Sequence, residues 1–182
     1  MNKRTSPMAS LRRDWAANPR DPKTRLVVTL LRVTQSLMGS GPRPRVVSMP
    51  AMVFYRFITE FGLGMELRPK TSVGAGLRIY HGFGLVVNDH AVIGDDVVLR
   101  NGVTIGHKNP GEGAPVIGDR VQIGAGAILI GNITIGSDSI VGAGSVVTKS
   151  VPPFSVVAGN PAKVISVLRS NEGEEQWPLA DS

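Results

Sequence analysis

The chain has 182 residues, enough for one domain with a core and an appendage but short for two full domains. It has no cysteine, which excludes disulfides, thiolate metal sites and cysteine nucleophiles, and 22 glycines against 5% aromatic residues point to many tight turns rather than an aromatic-filled core. The formal net charge of +6 is unevenly spread: residues 1–45 carry ten Lys and Arg against Asp14 and Asp21, a local net of +8, and the remainder is slightly acidic.

The opening "MNKRTSPMAS" lacks an apolar stretch followed by a cleavage site, so it does not read as a signal peptide, and a cytoplasmic chain is expected. The basic arm over residues 1–45 suits an anionic membrane surface or is simply a solvated terminus. No nucleic-acid partner is expected. Within the arm, "RLVVTLLRVTQSLM" (Arg25 to Met38) predicts a helix. A span needs about 20 apolar residues, and Arg32 interrupts this one, so it lies on a surface or packs on a partner. "SMPAMVFYRFITEFGLG" (Ser48 to Gly64) predicts a second helix, with Pro50 in its first turn and glycines at its end. Met52, Phe54 or Tyr55, Ile58 and Phe61 or Leu63 recur at helical spacing and form a face for packing on the main domain.

From Leu67 the chain repeats every six residues. An aliphatic residue, usually followed by glycine, recurs at Val73, Ile93, Ile105, Ile117, Ile123, Ile135 and Val141, and Leu67, Ile79, Val87, Leu99, Leu129 and Val147 complete the series. The spacing departs from six only between Ile79 and Val87, where it is eight, and between Ile105 and Ile117, where it is twelve. Six residues make a short strand and a turn, and three such units close a triangular coil of about 18 residues. The expected fold is an all-β solenoid, a left-handed parallel β-helix of hexapeptide repeats of about four coils, with a short helical N-terminal segment. The division is 1–65, basic arm and helical segment; 66–167, β-helix; and 168–182, an acidic tail expected to be mobile.

Such a prism is apolar inside and carries its polar groups outside, so a cleft requires an excursion from the helix or a second prism alongside. The two irregular spacings mark the excursions. One contains His81; the other is "HKNPGEGAP", His107 to Pro115. With the second treated as one unit plus a loop, Ile79, Leu99, Ile123 and Val141 share a face, and the residues two positions on, His81, Asn101, Ala125 and Ala143, form an outward column. His81 is either a base at the end of a groove floored by small residues or a core histidine beside a turn. His90 sits in a regular unit and reads as a surface residue, whereas His107, opening the loop, could touch a donor or an acceptor.

The segments "YHGFGLVV", "NGVTIGHK", "QIGAGAILIGNITIG", "VGAGSVVTKSVPP" and "VVAGNPAKVI" resemble the left-handed β-helix acyltransferases, and within them the serine O-acetyltransferase branch. "PAMVFYRFITEFGLGMEL" is more similar to the short exopolysaccharide O-acetyltransferases of the colanic-acid type. The resemblance spans about residues 48–167 and implies transfer of acetyl from acetyl-CoA, used as co-substrate with no permanently bound cofactor and no metal, by a homotrimer with sites between subunits.

Carried over position by position, the resemblance makes His81 the general base, a role that neutral imidazole fills well. Glu66, fifteen residues earlier in "ELRP", falls on the partner carboxylate. Ala125 and Ala143 fall where backbone groups hold the pantetheine arm, and Thr148, Lys149 and Lys163 fall near the nucleotide phosphates. Tyr80, Asp89, Asn101 and His107 are the expected acceptor-side residues. Serine acetyltransferases carry an aspartate where Tyr80 stands and "R-H-P" where Gly113, Ala114 and Pro115 stand. Losing those groups disfavours serine, and an aromatic beside the base suits a sugar, so a sugar or polysaccharide-precursor hydroxyl is the expected acceptor. Serine O-acetyltransfer, a trimeric carbonic anhydrase-like metal protein and a non-catalytic scaffold are the alternatives.

Overall fold

The computed structural model describes residues 6–39, 46–109 and 111–168. Short strands begin at Glu66–Leu67 and stack in three faces of a prism. The first face carries Leu67, Val87, Ile105, Leu129 and Val147 in parallel register. The second carries Val73, Ile93, Ile117 and Ile135. The third carries Ile79, Leu99, Ile123, Val141 and Val157, and ends with Ala162–Val167 returning antiparallel to Ser155–Gly159. The five parallel strands on the first face make about five turns, one more than the hexad count suggested, because Leu67 already begins a coil and Val157 extends the third face.

Both irregular spacings are accommodated as outward excursions that leave the register intact. Ile93 pairs with Ile117 across the long loop, and Ile79 with Leu99 beside the shorter one. The series residues from Leu67 to Val147 are at most 2% exposed, apart from the partly buried Val73. Ala91, Val97, Val103, Val121, Ala127, Ile133, Ser139 and Ser145, four positions after a series residue, complete the core. Buried Ser139 donates to Pro152 O and accepts from Ser155 N, so its hydroxyl is satisfied where the prism narrows. At some corners the strand spacing of the coils leaves no room for a side chain. A Cβ on Gly124 would stand 2.5 Å from Ala143 N, and one on Gly136 would stand 2.3 Å from Pro153 N.

The described part of the basic arm is folded, which corrects the expectation of a merely solvated terminus. Helix α1 spans Pro7–Ala17, capped by the Ser6 side chain, and α2 spans Pro22–Met38, capped by Asp21, so the helix expected over residues 25–38 starts three residues earlier. Val27, Val28 and Leu31 of α2 are fully buried. Helix α3, Met49–Arg56, runs on as a π-helical turn, Phe57–Gly62. Its orientation decides between the alternatives of the expected face: Tyr55 and Leu63 turn inward with Met52 and Ile58, and Phe54 and Phe61 turn outward. Tyr55, Ser48 and Thr59 are buried, whereas Phe54, Phe57 and Phe61 are 57%, 63% and 81% exposed. Tyr55 turns inward because its hydroxyl donates to Leu67 O at 2.6 Å, and burial pushes the phenol pKa upward. No helix among the described residues is long and apolar enough to cross a membrane. The tail expected over residues 168–182 lies outside the described residues except for Leu168.

Candidate active site

Strand Arg78–Tyr80 is the outermost strand of the third face, so one edge of its backbone has no neighbouring strand. Side chains of α1, α2 and the turn between them occupy that edge. Asp14 Oδ1 accepts from Gly76 N at 2.8 Å and Leu77 N at 3.0 Å. Asn18 donates to Leu77 O at 2.8 Å and accepts from Ile79 N at 3.2 Å, and Thr24 Oγ1 donates to Ile79 O at 3.1 Å. Lys23 Nζ donates to His81 O at 3.3 Å. Asp14 is in turn held by Arg32 Nε at 2.7 Å, and Arg32 donates to Val73 O and Gly74 O. Both members of this ion pair are at most 2% exposed. A buried pair of this kind is retained only when its remaining donors and acceptors are satisfied, and here the edge strand satisfies them.

His81 follows this clamped strand directly and is exposed, which removes the core-histidine reading. Its φ is +63°. Four other non-glycine residues, Asp96, Arg120, Asp138 and Phe154, have positive φ among the described residues, and all occupy the corner between the second and third faces. At the corner between the third and first faces, glycines hold the left-handed positions, Gly102 at +68°, Gly126 at +67° and Gly144 at +65°. Gly84, at +72°, holds the equivalent position in the first coil, and His81 lies just before it in the eight-residue excursion. A left-handed conformation costs a non-glycine residue roughly 1–2 kcal/mol, and such strain concentrates at functional sites. It is fixed by Phe83 N donating to His81 O at 2.6 Å and by Gly82, where a Cβ would stand 2.1 Å from Met65 Sδ. The backbone thus aims the imidazole outward, and no hydrogen bond to the ring is formed among the described residues.

Glu66 is not bonded to His81. It lies on the first face opposite Val86, and its Oε1 accepts from Arg68 at 2.8 Å. A shallow recess beside it is lined by Glu60, Gly64, Met65, Leu85 and Val86. A hydrogen bond from Arg56 holds the Glu60 carboxyl below its ordinary value, against partial desolvation.

The other expected site residues divide between two corners. Asn101, Ala125 and Ala143 stack on one another, with Gly126 N bonded to Asn101 O and Gly144 N to Ala125 O. Gly102 N, however, bonds to Phe83 O, so Phe83 and not His81 stands at the foot of this column, a correction to the count that follows from the two extra residues of the eight-residue unit. Asp89, His107 and Lys149 each follow a first-face residue by two positions and so lie at the next corner. Asp89 faces His90 at 3.2 Å, and His107 Nδ1 lies 3.0 Å from Asn88 Nδ2. Thr148 is exposed beside Lys149, whereas Lys163 is on the terminal hairpin opposite Ala158. Within one prism the residues expected to bind acetyl-CoA therefore do not converge.

Tyr80 was expected to offer its ring to a sugar; instead the guanidinium carbons of Arg78 and Arg100 lie over it at 4.5 and 5.0 Å from the centroid. Sequence reasoning missed both arginines, whose only signal was the pairing of Tyr80 with Arg100 across one coil. It also missed Asp14, Asn18, Lys23 and Thr24, which meet their strand partners across 55–63 residues of chain. No three His, Asp or Glu gather as metal ligands among the described residues.

Comparison with known proteins agrees with this architecture. Residues 114–149 match the family model "Bacterial transferase hexapeptide (six repeats)". The chain is 44% identical over 116 residues to the putative colanic acid biosynthesis acetyltransferase WcaB of Escherichia coli K12, covering 63% of this chain and 72% of that one. It is 41% identical over 140 residues to the serine acetyltransferase of Mycobacterium tuberculosis, covering 75% of this chain and 59% of the relative's length. The crystal structure of the Brucella abortus serine acetyltransferase in complex with coenzyme A superposes with a TM-score of 0.69 at 29% identity, over 90% of this chain and 68% of that one.

Proposed function

Because the chain belongs to the hexapeptide-repeat acetyltransferases related to serine acetyltransferase and WcaB, we propose that it transfers acetyl from acetyl-CoA to a sugar hydroxyl with His81 as general base. The observation that carries this reading is the exposed, conformationally strained His81 in the excursion that leads through Phe83 to the column of Asn101, Ala125 and Ala143. The imidazole takes the hydroxyl proton as the oxygen attacks the thioester carbonyl carbon. The tetrahedral intermediate then expels the CoA thiolate, which regains that proton from imidazolium to leave as the thiol. Glu66 supports the imidazolium, which requires it to leave Arg68.

Two corners of one prism carry the donor and acceptor residues, so a homotrimer that sets the His81 corner of one subunit beside the Asp89, His107 and Lys149 corner of the next is part of the proposal. There Ala125 and Ala143 offer backbone groups to the pantetheine arm, and Thr148, Lys149 and Lys163 meet the nucleotide phosphates. Serine transfer is the second reading, favoured by the named activity of the mycobacterial relative. Thioester cleavage by the purified protein with L-serine, nucleotide sugars and oligosaccharides decides between them. Faster cleavage with a saccharide is expected, and a clear preference for serine overturns the sugar acceptor.

We place the protein in the cytoplasm, peripherally at the inner membrane face. Contact by the basic residues of the arm is reinforced by the outward Phe54, Phe57 and Phe61, a pairing of cationic and aromatic groups suited to an anionic interface. Phe57→Ser/Phe61→Ser should lower co-flotation with phosphatidylglycerol vesicles, and unchanged flotation removes this contact.

A further inference from the structure

We propose that Arg78 and Arg100, stacked over Tyr80, form an anion subsite beside His81, so that the acceptor carries a carboxylate or phosphate close to the hydroxyl that is acetylated. The inference rests on the acetyltransferase reading above and specifies its acceptor.

Register places the cluster on the outer surface of the third face, on the strand that leads into His81. Tyr80 pairs with Arg100 and Arg78 with Val98 on the adjacent strand. Stacking engages the flat faces of the guanidiniums and leaves their edge N–H donors free, in the fork geometry that matches carboxylate and phosphate oxygens. Neither guanidinium has a hydrogen-bond or ion-pair partner among the described residues; both rest on the Tyr80 ring.

The surroundings supply no counter-charge. Along the third face the outward positions from Arg78 to Ala158 are occupied by Tyr80, Val98, Arg100, Gln122, Ile140 and Val156 and by small residues, with no carboxylate among them. The nearest acidic column, at the corner with the second face, is already engaged: Asp95 and Asp96 pair with Arg13, Asp138 pairs with Arg120, and Asp119 accepts from Asp95 N at 2.8 Å. Lys23 adds a further cation at the His81 carbonyl. Two like charges sharing one aromatic ring repel each other, and cation–π attraction at an exposed site returns only about 0.5–1 kcal/mol apiece. A bound anion removes that repulsion and occupies the free edges.

The test uses ligand-observed NMR titration of the full-length protein with three probes: methyl β-glucoside, methyl β-glucuronide and glucose 1-phosphate. The wild type is expected to bind at least one anionic probe about tenfold more tightly than the neutral glucoside. Arg78→Gln/Arg100→Gln should abolish that preference while leaving affinity for the glucoside unchanged. Whether glucuronide or phosphate gains more identifies which anion the subsite takes. The single Arg100→Gln variant, with its melting temperature measured, carries the test if the double variant is unstable. Equal affinity for neutral and anionic probes, or a preference that survives in the variants, overturns the subsite. Acetyl-CoA binding is measured on the same samples. A protein that binds acetyl-CoA without anion preference loses only the subsite, and one that fails to bind acetyl-CoA loses the acetyltransferase reading itself.

Discussion

His81→Ala is expected to assemble, bind acetyl-CoA and melt close to the wild-type temperature, yet turn over about 10²–10⁴-fold more slowly, the usual contribution of a positioned general base. The fold should survive because His81 is exposed and its ring packs in no core; alanine also keeps the backbone bonds that Phe83 and Lys23 make to the residue 81 carbonyl. Glu66→Gln should cost less, since Glu66 already faces Arg68 and the change removes charge while keeping shape. Melting temperature and kcat measured on one His81→Ala preparation decide the matter. A folded variant with near-normal kcat on its acceptor removes the general base, whereas a fall in kcat that tracks a fall in melting temperature assigns His81 to the fold.

The second large effect is on stability. Asp14→Ala should destabilise the protein by about 3–5 kcal/mol, the range for breaking a buried ion pair by removing one partner. Arg32 would be left charged and buried, while Gly76 N and Leu77 N would lose their acceptor. Adding Arg32→Leu should recover part of the loss, because the orphaned charge is then gone. Urea denaturation of both variants reads the effect directly. A change below about 1 kcal/mol for Asp14→Ala would show that the helices do not anchor the first coil. Activity should fall with Asp14→Ala even where the chain remains folded, since the clamp from Asp14 to Lys23 ends at the His81 carbonyl.

The solenoid was legible because its period is local. Each coil repeats the same inward aliphatic residue and corner glycine, so the faces and their register follow from counting, and the two irregular spacings are absorbed by loops without shifting Ile79, Leu99, Ile123 and Val141 out of line. The same count left His81 open between the surface and the core and set it below Asn101, where the structure has Phe83, because counting does not say where in the eight-residue unit the two extra residues fall. The basic arm was misread because net charge says nothing about which charges are buried. Arg32, taken as an interruption in an apolar helix, is the buried anchor of that helix. In the Ser48–Gly64 segment helical periodicity left Phe54 or Tyr55 and Phe61 or Leu63 open, and the hydroxyl of Tyr55 selected the inward face.

By itself, then, the sequence determined the hexad prism, its three faces and the family likeness, all of which depend on neighbours six or eighteen residues apart. Only the tertiary structure decided what covers the open edge of the first coil, which charges meet across more than fifty residues, and how Arg78 and Arg100 gather over Tyr80. The physical reason is the unpaired backbone of the edge strand. Its unsatisfied donors and acceptors must be met by whatever polar groups the chain can bring there, and no local pattern in α1 or α2 records that it is their side chains that do so.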